Sequence, residues 1–222
     1  QEAVVRDKVD FLAGFGLTPE ALAVAPVATQ AKKPMIVMNA ASSIVTAKSP
    51  YIARVSMTLP QVSAPMGTWA AKNGIRRVFT LVADYAPGHD SEAAFKTTFT
   101  AGGGQVIEAV RTPLKNPEFS PFVQRIKDAK PDAVFVFLPA GEQGIAFMKS
   151  FQERGLAKAG IRVIATGDLT DDHVLPAMGD AAVGMITTFH YSAAHDSPEN
   201  RAFLDAYRKA TGDQGQPNFM AV

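Results

Sequence analysis

The 222-residue sequence contains no cysteine, which excludes disulfides and thiolate metal sites and leaves its redox compartment unreadable from composition. Its formal charge of +1, with no run of Lys and Arg longer than two, gives no electrostatic footprint for nucleic acid. No apolar stretch approaches the ~20 residues that span a bilayer. A G-x-x-x-x-G-K-S/T phosphate loop is absent, and no serine sits in a nucleophile elbow. Gln1-Glu2-Ala3 carries neither an initiator Met nor a leader pattern, so a processed or trimmed product is expected. With one Trp, 47% hydrophobic and 19% charged residues, the composition is that of an ordinary soluble globular protein. The length is too great for one ordinary domain and short for two full ones.

What is present is an alternation of apolar runs and helix signals. Strands are predicted at Val9–Ala13, Met35–Met38, Tyr51–Met57, Val78–Ala83, Gln105–Arg111, Asp132–Leu138, Ile161–Ala165 and Val183–Phe189. Thr18-Pro19-Glu20 combines an N-cap hydroxyl, Pro at the first helical position and an early acid, which predicts a helix to about Lys32. Pro26 should kink or shorten it. Further helices are predicted at 66–72, 91–100, from Asn116, at 142–154, 171–177 and 198–211, with another starting near Gln216. Asp84–Gly88 reads as a loop. Strand–helix alternation at this spacing implies βαβ units and parallel sheets. The stretch 78–189 suffices for a doubly wound domain. Residues 1–56 supply too little to cover a sheet on both faces, so a preceding segment is expected. The helix at 198–211 is expected to return to the first unit, giving lobes of residues 1–56 with 190–222 and of residues 57–189.

Candidate binding residues gather at the carboxyl ends of these strands, where ligands bind in open α/β sheets. After Met35–Met38 comes a small-residue turn, Asn39-Ala40-Ala41-Ser42-Ser43, able to offer N–H groups and hydroxyls to an anion. The same turn serves equally as a capped strand-to-helix connection, and taken alone it leaves both readings open. The free N–H groups of the helix beginning at Thr18 form an anion site. Gly14-Phe15-Gly16 opens a G-x-G, but Pro19 replaces the third glycine and Asn39 the expected acid, which argues against a dinucleotide. Arg54 suits either a ligand acid or a structural carboxylate. Asp168 suits a ligand cation or a cap, and Tyr85 and Tyr191 suit pocket walls or surface. The four histidines are scattered in no metal-ligand pattern.

Several phrases in this order resemble the periplasmic solute-binding proteins of branched-chain amino acid-type ABC importers. They are A-P-V-A at 25–28, K-P-M-I-V-M-N-A-A-S-S at 33–43, D-Y-A-P-G at 84–88 and G-G-Q-V at 103–106. P-E-F-S-P-F-V-Q-R-I-K at 117–127, P-D-A-V-F-V-F at 131–137 and G-D-A-A-V-G at 179–184 complete the set. The resemblance implies a type I periplasmic binding fold, α/β with two Rossmann-like lobes, the first incomplete here. It implies no cofactor, no catalysis, a periplasmic location, a monomer and an inner-membrane ABC permease as partner. Carboxylate capture maps by that resemblance to Leu17, Thr18, Ala41 and Ser42, and a ligand ammonium to Asp168. The second lobe's contacts would come from the Tyr85 to Gly88 stretch and neighbouring loops. Pro87 and Pro139-Ala140-Gly141 stand where ligand-facing aromatics are usual in that family, which argues against a branched-chain amino acid. D-Y-A-P-G and H-Y-S look more like the subgroup taking up aromatic acids, phenylpropanoids or keto acids. A sensory receptor domain of the same fold and a doubly wound enzyme are the competing readings.

Overall fold

Side-chain parity along the strands determines how this chain packs. In β4 (Arg77–Ala83) and β6 (Ala133–Phe137), Phe79, Leu81, Val134 and Val136 point to one side, and Val78, Val82, Phe135 and Phe137 to the other. Both faces are covered by helices, so β6 is buried at all five positions. The computed structural model describes residues 1–212 and Pro217. The helix expected from Gln216 lies outside the described residues, apart from Pro217.

The first sheet is β1 (Leu12–Gly14), β2 (Met35–Val37) and β3 (Ile52–Arg54), all parallel and adjacent in that order. Helix α1 (Glu2–Val5) precedes it, a turn that the sequence reading did not anticipate. Helix α2 (Thr18–Ala31) lays Ala21, Ala25 and Ala28 on Met35, Val37 and Ile52. On the opposite face Ala13 and Ala53 stay exposed among the described residues.

The second sheet joins β4 and β6 to β5 (Gln105–Thr112), β7 (Arg162–Thr166) and β8 (Ile186–Thr188), in the parallel order β5-β4-β6-β7-β8. The chain steps outward from β4 to β5 and then reverses to β6. The reversal opens a crevice beyond the carboxyl ends of β4 and β6. Helices α5 (Ser120–Ala129), α6 (Glu142–Glu153) and α7 (Leu175–Met178) carry one face through Val123, Phe147 and Phe151. Helices α3 (Leu59–Lys72) and α4 (Ala86–Ala101) carry the other. There Phe95 stacks on Phe135 at 4.0 Å and on Phe99 at 5.2 Å, and each buried Phe contributes about 1.5–3 kcal/mol. Gly67 brings α3 against α4: a Cβ there would meet Phe95 O at 2.5 Å. Helix α8 (Pro198–Thr211) ends the described chain.

Several helix boundaries correct the sequence reading. Helix α2 runs unbroken through Pro26, and α3 through Pro65, because both rings stand on exposed sides where a gentle bend is tolerated. Thr18 is the first helical residue of α2 and Leu17 its N-cap. Helix α3 begins at Leu59, with Thr58 N–H donating to Gln61 Oε1 at 2.7 Å, as in a capping box. Helix α4 begins at Ala86, so Pro87 and Gly88 form its first turn instead of a loop. Helix α5 starts at Ser120, after Asn116, and α7 spans Leu175–Met178 where a helix over 171–177 was expected.

Candidate functional site

The first cluster forms where β1, β2 and β3 end. Met38 N–H donates to Gly14 O at 2.8 Å and Ala40 N–H to Phe15 O at 2.9 Å, which lays the small-residue turn against the turn entering α2. Asn39 Nδ2 adds a bond to Gly16 O at 2.8 Å. Leu17 N–H is taken by Glu20 Oε2 at 3.1 Å. The buried Thr18 hydroxyl accepts from Ser42 N–H at 3.3 Å, which leaves its own proton as a donor. Ala41 is buried, and its carbonyl accepts from Leu59 N–H at 3.0 Å, tying the turn to the start of α3.

Ser42 is fully buried and is held from two sides. Arg54 Nη2 donates to Ser42 O at 2.6 Å, and Ser42 Oγ donates to Asp90 Oδ2 at 2.9 Å. Asp90 lies on α4, and the sequence reading missed it as a site residue. Burial lowers the Arg54 pKa, and the Asp90 charge opposes that shift. Arg54 Nε and Nη1 and Ser56 Oγ are buried with no hydrogen-bond partner among the described residues. Such groups are costly unless something accepts from them.

The second cluster stands at the carboxyl ends of β4, β6 and β7. Tyr85, the N-cap of α4, stacks on Phe137 with ring centroids 6.1 Å apart. Burial and the Asp168 charge push the Tyr85 phenol well above its ordinary range, so it remains a donor at neutral pH. Asp168 sits in the 3-10 turn Gly167–Thr170 after β7 and accepts from Thr166 Oγ1 at 2.8 Å. Burial, with Asp171 as a nearby like charge, raises its carboxyl from the ordinary 3.8 to about 6 despite the Thr166 bond. Gly88 packs its backbone on the end of β4: a Cβ there would lie 1.9 Å from Ala83 O. Glu92, one turn further on, is buried in a pair with Arg111 at 2.9 Å and accepts from Thr80 Oγ1 at 2.9 Å.

Tyr191 stands apart from both clusters. Its hydroxyl donates to Asn200 Oδ1 at 3.1 Å and its ring meets Phe203 at 6.0 Å. Asn200 Nδ2 donates to Ala193 O and His195 O, so this group ties the segment after β8 to α8. A cavity of about 860 Å³ lies there, lined by Gln61, Thr170, Asp171, Tyr191 and Asn200 among others. Thr18, Ser42, Tyr85 and Asp168 do not line it. Of the candidate binding residues read from the sequence only Tyr191 lines it, because its walls come from separated stretches near Gln61, Thr170, Tyr191 and Pro217. No group of three or more His, Asp and Glu converges to hold a metal among the described residues.

A sequence model described as "Periplasmic binding protein" matches residues 1–222. The Leu/Ile/Val-binding protein homolog 6 of Brucella melitensis biotype 1 is 49% identical over all 222 residues, which cover 57% of its length. The chain thus spans little more than half of that relative. A solute-binding protein of an ABC transporter from Rhodopseudomonas palustris BisB5, solved in complex with 3,4-dihydroxybenzoic acid, is 60% identical. It superposes with a TM-score of 0.91 over the whole chain and 60% of its own. A second from R. palustris, in complex with 4-hydroxybenzoate, is 46% identical with a TM-score of 0.93 over the same shares. Parallel sheets, strand-end clusters and a match along its whole length place this chain in the periplasmic binding protein family, with the type I α/β fold of Leu/Ile/Val-binding-like solute-binding proteins.

Proposed function

We propose that the protein is the extracytoplasmic solute-binding component of an ABC importer, and that its solute is a small aromatic carboxylic acid of the hydroxybenzoate kind. The observation that carries this reading is the pair of relatives, 60% and 46% identical, solved with dihydroxy- and hydroxybenzoate. The geometry supports it. A donor-rich end (Thr18 hydroxyl, Arg54, the start of α2) faces the needs of a carboxylate, and Tyr85 stacked on Phe137 offers a flat apolar wall. Asp168 offers an acceptor for a ring hydroxyl in place of an ammonium partner. The lobes are residues 1–56 with 190–222 and residues 57–189, closing on the acid without chemical turnover. The complex is delivered to a permease from the periplasm by a monomer. Closure follows only if the acid touches both lobes and so favours the closed form.

The test is calorimetry on the full-length protein with 4-hydroxybenzoate, benzoate and leucine. Saturable binding of 4-hydroxybenzoate is expected, with weaker binding of benzoate, which lacks the hydroxyl, and none of leucine. Ser42→Ala combined with Asp168→Ala should weaken 4-hydroxybenzoate by at least about tenfold while leaving the fold intact. Undiminished affinity in that double variant refutes the site. Preference for leucine refutes the solute class.

A further inference from the structure

The small-residue turn holds a carboxylate, and that carboxylate is the protein's own. Asp90 Oδ2 accepts from Ser42 Oγ at 2.9 Å, Ser43 N–H at 2.7 Å and Ser43 Oγ at 3.0 Å. Charge-assisted bonds of this kind are the strong ones, and three meet on a single oxygen. Asp90 is carried by the five-stranded unit: its neighbour Ser91 bonds Ser63 of α3 at 2.8 Å, and Phe95 on the same helix stacks on β6. Ser42 and Ser43 follow β2 of the three-stranded unit. The contact therefore joins the two units directly beside the ends of their strands.

The turn is gripped from its other side as well, through Arg54 Nη2 on Ser42 O. Its Ser42 N–H lies on the Thr18 hydroxyl, so the position of the turn fixes which way the Thr18 proton points. The geometry points to Asp90 as a positioning residue: a latch from the second unit that seats the Ser42–Ser43 turn, aims the Thr18 donor and holds the two units together. This rests on the reading of the chain as a two-lobe solute-binding protein. Separating the units breaks three bonds to one carboxylate oxygen, which then needs solvent in their place. The latch thus lowers the cost of closure before any solute arrives, which is preorganisation.

The test uses the full-length protein with Asp90→Ala, Asp90→Asn and Ser43→Ala, read by small-angle scattering without solute and by the dissociation rate of 4-hydroxybenzoate. Asp90→Ala should scatter as a more extended particle and release the acid at least about tenfold faster. Asp90→Asn should recover most of both properties, because its amide oxygen accepts from the same three donors. Ser43→Ala, which removes one hydroxyl donor, should fall between, and it carries the same test if Asp90→Ala does not fold. Parental scattering and parental release in Asp90→Ala overturn the latch. Tighter binding in that variant also overturns it, because Asp90 then competes with the solute's carboxylate. If the parent binds no 4-hydroxybenzoate, the proposed solute class fails, while scattering of the solute-free variants still decides the latch.

Discussion

Gly88→Ala is expected to destabilise the full-length protein by about 3 kcal/mol, at the upper end of what overpacking costs. The added Cβ would lie 1.9 Å from Ala83 O and 3.1 Å from Ala83 C. Both are main-chain atoms at the buried end of β4, so no side chain can swing aside. Relief requires α4 to slide away from β4, and α4 cannot slide freely. Its Phe95 and Phe99 are fully buried under the sheet, and its Glu92 is bonded to Thr80 of β4. The same turn carries Tyr85 as its N-cap, three residues before Gly88, and Asp90 two residues after it, so a shifted α4 should also weaken 4-hydroxybenzoate binding. Thermal melts monitored by circular dichroism check the first effect and calorimetry the second. Gly67→Ala offers a control: it also disturbs α4, through Phe95 O at 2.5 Å, but at the far side from the crevice cluster. A Gly88→Ala protein as stable as its parent would mean that the first turn of α4 does not sit on β4 as described.

The sequence revealed the order of strands and helices because each signal there is local. The run A-V-F-V-F is apolar at every position, and such a strand must be covered on both faces, as β6 is. The start of α2 was legible for the same reason, since Pro19 and Glu20 suit a first helical turn wherever the chain goes next. Pro60 and Pro87 both lie ahead of the helix starts expected at 66 and 91. Both stand in the first turn of a helix, where the missing N–H costs nothing, and both helices therefore begin earlier than the apolar periodicity suggests. That displacement hid Asp90. With α4 started at Ser91, Asp90 is the last residue of a loop; with α4 started at Ala86, it faces outward from a rigid helix toward Ser42 and Ser43.

The site was legible only as a list of strand ends. Ser42, Arg54, Tyr85 and Asp168 all stand where ligands bind in such sheets. Which donors remain open is a long-range property. Leu17 N–H is closed by Glu20, three residues away, but Ser42 Oγ is closed by Asp90, 48 residues away. The sheet register fixes the environment of Arg54. It pairs with Val37, which pairs in turn with Gly14, and so falls on the face of the sheet that α2 covers, where burial lowers its pKa. No local pattern carries that information. Tyr191 shows the converse: an aromatic at a strand end whose partners, Asn200 and Phe203, belong to α8.

Asp168→Asn is expected to stabilise the solute-free protein at neutral pH and to weaken solute binding at the same time. Folding raises the Asp168 carboxyl from 3.8 to about 6, chiefly through burial. The folded chain therefore holds a proton at pH values where the unfolded chain has released it. By linkage, stability from this group is fully present below about pH 4, falls as pH rises, and is lost above about pH 6. The gap corresponds to a penalty of about 3 kcal/mol at pH 7, on the scale of about 1.4 kcal/mol for each tenfold change in proton affinity. An asparagine carries no charge to desolvate, and its amide oxygen still accepts from Thr166 Oγ1, so the penalty disappears with the contact kept. Chemical denaturation between pH 4 and pH 7 should show a declining contribution in the parent that is absent from Asp168→Asn. A solute hydroxyl donating to the ionised carboxylate reverses the balance, since a hydrogen bond to the charged form favours it. Affinity for 4-hydroxybenzoate should then rise in the parent as pH passes through about 6, and Asp168→Asn should bind more weakly with a flat profile. A variant that is stabilised yet binds as well as the parent would leave Asp168 a strained structural acid outside the solute site.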